Sequence, residues 1–336
     1  MNDVRHMLRA VELASLGCGR TRPNPPVGAV LVKGCRVIGE GWHHGCGKAH
    51  AEVEALASSR VSPKGATLYV TLEPCSRSGR VGACTDAIAA AGVRRVMYAC
   101  PDPNPVNRSR ARRILAKSGI ECECWAKSSD PERRDVARLA WRRLMRPFAK
   151  HVSTGLPYVT VKLAMSLDGM ICDHAGQSRW ISCAAARRET AKWRETADVV
   201  MVGAETVRAD DPSLLCHTRR NDFLYRAVVS RSGRLPRSAQ VFTDGAKDRT
   251  LVYRDAVEAV KDLGRRGFMS VLCEGGLFLA RSLAEAGMVD EWVTIVAPIV
   301  IGSRDIAKAV GFAPCGAVDF GGDTMARCLR AKGCPF

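Results

Sequence analysis

Residues 49–84 read AHAEVEALASSRVSPKGATLYVTLEPCSRSGRVGAC, and this stretch decides the fold of the first half of the chain. Residues 49–58 read as a helix, opened by His50-Ala51-Glu52. Residues 66–72 form a strand rich in Leu, Tyr, Val and Thr. Residues 85–91 read as a second helix, with Gly92 as its stop. This order puts His50 at a helix start, Pro74-Cys75 at a strand end and Cys84 just before the next helix. One imidazole and two thiolates suit tetrahedral Zn²⁺, with a fourth position left for water. Glu52, two residues from His50, can face that water without binding the metal. Such a site makes water nucleophilic towards an amidine-like ring carbon while the carboxylate shuttles protons. A lone H-x-E is a common helix start. The combination with Pro-Cys about two dozen residues on, and then a further Cys, is what carries the reading.

Outward from this stretch, strands and helices alternate. Residues 3–16 space Val4, Met7, Leu8, Val11 and Ala14 as an amphipathic helix. Residues 27–32 and 35–39 read as strands about a tight turn at Lys33-Gly34. Residues 93–99 form a strand, Pro101-Asp102-Pro103-Asn104-Pro105 a loop, 108–117 a helix stopped by Gly119, and 120–125 a strand. The alternation implies helices around one mixed sheet. Residues 130–150 are expected to be one basic amphipathic helix, and Gly155-Leu156-Pro157 resets the pattern. We therefore divide the chain into domains of residues 1–150 and 151–336.

The second half alternates again. Strands are predicted at 158–163, 199–202, 226–229, 250–253, 270–274 and 292–298, with helices at 184–196 and 276–286. Glu274-Gly275-Gly276 ahead of a helix is a loop whose backbone N–H groups suit a phosphate.

The 336 residues fit two domains, and 46% hydrophobic with 25% charged residues is an ordinary globular balance. Residues 1–20 lack the apolar core of a signal peptide, and no uncharged apolar run reaches membrane-spanning length. A cytoplasmic enzyme is the expectation. The fifteen cysteines are scattered with no C-x-x-C, so a disulfide framework is not expected. The net charge of +17 reads either as a solvated basic surface or as attraction to anions, nucleic acid or phosphorylated small molecules, and charge alone does not choose between them.

The His50, Glu52, Cys75 and Cys84 pattern resembles the cytidine-deaminase superfamily. Nucleic-acid deaminases of that group space the cysteines P-C-x-x-C, whereas eight residues separate Cys75 from Cys84. That longer loop is similar to the riboflavin-biosynthesis bifunctional deaminase/reductase family (RibD). So are the segments from Thr21 through Pro23-Asn24-Pro25 to Val27-Gly28, from Gly65 to Ser76, and Asp102-Pro103-Asn104-Pro105. In the second half, Lys162 to Gly169, Ser178-Arg179-Trp180-Ile181-Ser182, Val202 to Val207, Asp210-Asp211-Pro212 and Glu274-Gly275-Gly276 resemble the family's reductase domain.

The resemblance implies a three-layer αβα cytidine-deaminase-like domain followed by a dihydrofolate-reductase-like α/β domain. It implies one Zn²⁺ per chain, NADPH as hydride donor and a phosphorylated pyrimidine as substrate. The implied steps are deamination of 2,5-diamino-6-ribosylamino-4(3H)-pyrimidinone 5′-phosphate and reduction of its ribosyl chain to ribityl. By carry-over, Asn24, Ser178, Arg194, Leu214 and Glu274 contact substrate, and Ala164, Trp180, Thr206, Asp210 and Gly276 contact the cofactor. A homo-oligomer is expected, and neither a membrane nor nucleic acid as partner. The chain departs from the family at Arg77-Ser78, where His-His is usual, and at residues 106–110, usually Gly-rich. Further departures are Glu205 for a glycine, Leu215 for a threonine, His217 for an arginine and Ser230 for an aspartate. These keep open a deaminase with a degenerate reductase half. Deamination of RNA is the alternative from another class.

Overall fold

The computed structural model describes residues 2–77, 82–172, 181–216, 223–297, 314–319 and 324–329. The chain forms two compact units, one up to Thr154 and one from Gly155.

The first unit begins with α1 (Asn2–Ser15), β1 (Gly28–Lys33), β2 (Arg36–Trp42), α2 (Ala51–Ala57) and β3 (Thr67–Leu72). It continues with α3 (Cys84–Ala90), β4 (Arg95–Cys100), α4 (Ala111–Lys117) and β5 (Glu121–Cys124). The sheet runs β2-β1-β3-β4-β5; β1 pairs antiparallel with β2 and β3, and the remaining pairs are parallel. It is therefore mixed, with α1 on one face and α2 on the other, making three layers. Close approach of α2 to the sheet requires glycine in β2. A Cβ on Gly41 would lie 2.4 Å from the Ala55 nitrogen and 2.5 Å from the Ala51 oxygen. The start of α2, where His50 and Glu52 sit, is set by this contact.

Two segments differ from the sequence reading. The helix expected from residue 108 starts at Ala111, because Ser109 adopts φ 63°, a left-handed conformation that interrupts a helix. The helix expected over 130–150 is α5 (Pro131–Ala140), a π-helical turn (Trp141–Met145) and α6 (Arg146–Thr154). Pro147 accounts for the wide turn: it has no N–H to donate and its ring clashes with the carbonyl four residues back. The extra residue changes which side chains of α6 face inward, and Phe148 reaches the cavity described below.

The second unit contains β6 (Tyr158–Ser166), α7 (Ala184–Arg194), β7 (Val199–Gly203), α8 (Ala204–Asp210), β8 (Tyr225–Val229), α9 (Gln240–Thr243) and β9 (Thr250–Tyr253). It then contains α10 (Ala256–Arg265), β10 (Ser270–Cys273), α11 (Leu277–Glu285), β11 (Glu291–Ala297), β12 (Pro314–Asp319) and β13 (Thr324–Leu329). The strand order is β12-β13-β11-β6-β10-β7-β8-β9, parallel from β11 to β9, with β13 antiparallel at one end. Side-chain alternation buries both faces. Val199, Met201 and Val271 join α10 and α11 in one core, and Val200, Val202 and Leu272 join Val207 and Val241 in another. The strands β12 and β13 and the helices α8, α9 and α10 were not read from sequence. The expected end of β11 at Pro298 lies outside the described residues.

Candidate active sites

His50 is the N-cap of α2, with extended backbone at φ −76° and ψ 160°, and its side chain is free of capping duty. Cys75 follows Pro74 beyond β3, and Cys84 is the first residue of α3 rather than the residue before it. The two β–α connections converge: the His50 Nδ1 lies 3.1 Å from the Cys84 Sγ and 3.5 Å from the Cys75 Sγ, and the sulfurs are 3.3 Å apart. The backbone N–H of Cys84 donates to the Cys75 sulfur at 3.3 Å. All three donor atoms lie within 4.8 Å of one another. The Cys84 thiol holds the Cys75 thiol down at about 4, against the cost of burial and with help from the His50 imidazole. One thiolate is thus ready for a cation, and metal binding displaces the proton that remains on Cys84. The donor set and its spacing fit zinc.

Glu52, on the first turn of α2, is 4% exposed. Burial raises its pKa, and the Cys75 thiolate raises it further. A carboxyl whose hold on a proton is strengthened in this way is suited to take a proton up and release it again, as a general acid/base must. Beside it lies a cavity of about 280 Å³ lined by Asn24, His43, Glu73, Asp102, Asn104 and Phe148 among others. Glu73 does not face outward as a free acid. Its carboxylate accepts from the backbone N–H groups of Asp102, Ser109 and Ala111 at 3.1 to 3.3 Å, fastening the 102–111 loop to the cavity rim. Asp102 is buried, which raises its pKa, and it accepts from the Asn104 N–H at 2.8 Å. Arg77 is exposed; Arg80 lies outside the described residues. Sequence reasoning missed His43, Glu73 and Phe148 as site residues. A single histidine, an acid after a strand and a helical phenylalanine carry no spacing signal.

In the second unit, β6, β7 and β10 end side by side. Glu274, just past β10, is held in a two-pronged pair by Arg194 at the end of α7, with N–O distances of 2.7 and 3.0 Å. Burial alone would push the Glu274 carboxyl up, but Arg194 and Lys162 more than offset it and hold it low. Lys162, on β6, is pushed below its ordinary value by burial, opposed by Glu274. Arg194 also reaches the Leu215 carbonyl at 3.4 Å, and the adjacent Leu214 is buried with φ 57°. The geometry thus gathers Arg194, Glu274 and the 214–215 segment, and adds Lys162, which the sequence reading quoted without a role.

Gly276 is the N-cap of α11, with open space where a side chain would stand. Gly203, the N-cap of α8, is equally open, and a Cβ on Gly275 would lie 3.3 Å from its nitrogen. Two β–α loops with accessible backbone thus lie together at the C-terminal ends of parallel strands, where nucleotide phosphates bind. This edge fits NADPH. Ala164 lies half-buried on β6, and Thr206 and Asp210 lie half-buried on α8. Glu205 is 89% exposed and paired with Arg208, so its charge turns outward. Ser178, Trp180 and His217 lie outside the described residues.

These two arrangements define a zinc-dependent deaminase of the cytidine-deaminase class joined in one chain to a nicotinamide-dependent reductase. Comparison with known proteins narrows the class. Residues 1–100 match the cytidine and deoxycytidylate deaminase zinc-binding region, and residues 157–314 match the RibD C-terminal domain. The chain is 37% identical to the riboflavin biosynthesis protein RibD of Bacillus amyloliquefaciens, over 88% of this chain and 85% of that protein. It is 34% identical to RibD of Escherichia coli K12, over 90% and 89%. Among solved structures, Acinetobacter baumannii RibD superposes with a TM-score of 0.83 at 33% identity, covering 98% of both chains. The Thermotoga maritima diaminohydroxyphosphoribosylaminopyrimidine deaminase/5-amino-6-(5-phosphoribosylamino)uracil reductase gives 0.85 at 29% identity, covering 97% and 98%. The chain belongs to the RibD family, the bifunctional deaminase/reductases of riboflavin biosynthesis.

Proposed function

We propose that the first unit removes an amino group from 2,5-diamino-6-ribosylamino-4(3H)-pyrimidinone 5′-phosphate, and that the second reduces the ribosyl chain of the product to ribityl. The observation that carries the first step is the buried Glu52 carboxyl beside three converging metal donors. His50, Cys75 and Cys84 would hold zinc, which supplies a water acidic enough to attack at neutral pH. Glu52 accepts the proton from the nucleophile and delivers it to the departing amine. Asn24 binds the pyrimidine through its amide, and Phe148 offers an apolar wall to the flat ring. A Glu52→Gln variant should retain zinc and lose about 10²- to 10⁴-fold in ammonia release. Full ammonia release by that variant would overturn the assignment.

For the second step NADPH supplies the hydride. Gly276 and the start of α11 would take its phosphates, with Ala164, Thr206, Asp210 and Trp180 along it. Ser178, Leu214 and the Arg194–Glu274 pair would bind the substrate. Lys162 would supply the proton taken up by the ribosyl ring oxygen when its bond to C1′ breaks and C1′ is reduced, since burial weakens its hold on a proton. NADPH oxidation on the deaminated phosphate tests this step. No described helix is long and apolar enough to cross a membrane. Cys35, Cys100, Cys122, Cys124, Cys172 and Cys273 are free thiols, which supports a reducing cytoplasmic setting. The assembly we propose is a homo-oligomer, testable by sedimentation.

A further inference from the structure

His43 is 2% exposed and lies just beyond β2, with both ring nitrogens engaged. Its Nδ1 lies 3.0 Å from the Ala49 carbonyl oxygen, and its Nε2 lies 3.1 Å from the Asn24 amide nitrogen. A carbonyl only accepts, so Nδ1 carries the hydrogen. In the neutral ring Nε2 is then an acceptor, and the Asn24 Nδ2 donates to it. The amide nitrogen faces the His43 ring, so Oδ1 stands on the other side of the amide as the acceptor Asn24 can offer the cavity that both residues line.

We propose that His43 is a positioning residue of the deaminase site, fixing the Asn24 amide so that its oxygen, not its nitrogen, meets an N–H of the pyrimidine. The inference rests on the proposed contact between Asn24 and substrate. It matters because an amide is nearly symmetric in shape. Turned over, Asn24 would offer N–H to N–H, and a contact that binds would become one that repels. The sequence reading placed Asn24 between prolines, but prolines fix only the backbone there; the side-chain end needs a partner of defined polarity. His43 also ties that end to the metal site. Ala49 immediately precedes His50, and the two imidazoles meet edge to face with centroids 5.4 Å apart. One ring therefore sets both the polarity of Asn24 and its place relative to the metal donors.

The test is a double-mutant cycle on the full zinc-loaded chain with the pyrimidinone phosphate as substrate, reading zinc content, kcat and KM for ammonia release. A glutamine side chain reaches the place of the histidine Nε2 and can accept from Asn24; an asparagine reaches only the place of Nδ1. We expect His43→Asn and Asn24→Ala each to lower kcat/KM roughly 100-fold with zinc retained. His43→Gln should recover activity to within about tenfold of the native chain, and the His43→Asn/Asn24→Ala double variant should be no worse than either single variant. Two results separate the failures. If Asn24→Ala is impaired but His43→Asn is harmless, or the two losses multiply in the double variant, His43 does not act through Asn24. If Asn24→Ala is itself fully active, the proposed Asn24 contact falls, and this inference with it.

Discussion

Ser109 shows how a single backbone angle shapes the deaminase site. At φ 63° it occupies the region that costs a residue bearing a Cβ about 1–2 kcal/mol, and its N–H still donates to Glu73 at 3.1 Å. Glycine adopts that angle freely but gives back roughly 0.5–1 kcal/mol through the unfolded chain. Ser109→Gly should therefore stabilise the first unit by up to about 1 kcal/mol, read as a higher urea midpoint; a lower midpoint would show that the serine side chain contributes more than its strain costs. The sequence showed the departure from a Gly-rich stretch, but Arg-Ser-Arg also reads as helix, and nothing local says that the angle is kept. The metal ligands were legible because their chemistry needs fixed residue types at spacings tied to element ends. His43 was not, because its partners lie 19 residues before it and six after, and only the fold brings both ring nitrogens into use.

Elements are positioned by contacts between them, and two of these make predictions. The helix α2 rests on β2 through Gly41, so Gly41→Ala would put a Cβ against α2 backbone that cannot rotate away. We expect a loss of about 1–3 kcal/mol from overpacking, together with weaker zinc binding because His50 caps that helix. An unchanged zinc affinity would separate the helix contact from the metal site. In the second unit, the fully buried Arg226 on β8 joins α9 and β9. It donates to both Asp244 oxygens at 2.6 and 2.9 Å, to the Val241 carbonyl at 2.9 Å and to the Thr250 hydroxyl at 2.9 Å. These bonds from Arg226 hold the Asp244 carboxyl below its ordinary value. A depressed carboxyl stabilises the fold above its unfolded pKa of about 3.9, and that contribution disappears as pH falls through the lower folded value. Native and Asp244→Asn chains should thus differ in urea midpoint at pH 7, and the gap should shrink as pH falls below about 4. A gap at pH 3 as wide as at pH 7 would assign the effect to shape rather than charge. The strands were largely legible because alternation and β-branched runs mark them. The π turn and α6 register were not, since Pro147 was read only as part of one amphipathic period. The β12–β13 pair offered no signal beside a short tail.

Across the whole chain, the division of chemistry follows the division of residues. His50, Cys75, Cys84 and Glu52 precede Thr154, whereas Lys162, Arg194, Glu274 and Gly276 follow Gly155. None of the proposed reductase groups is a metal ligand, and hydride transfer from a nicotinamide needs position and electrostatics from the protein rather than a metal. Removing zinc should therefore separate the two activities. A chelator should abolish ammonia release from the diamino substrate and leave NADPH oxidation on the already deaminated phosphate within about twofold of the untreated chain, the tolerance being well under 1 kcal/mol in barrier. Supplying zinc afterwards should restore the first activity alone. Because a bound metal stabilises the state that binds it, by roughly 4 kcal/mol at a thousandfold excess over its Kd, stripping should also lower the melting of the first unit. Loss of both activities on chelation, recovered together by zinc, would mean that the metal supports the second unit as well, and that the reductase half depends on more than the groups at its own strand ends.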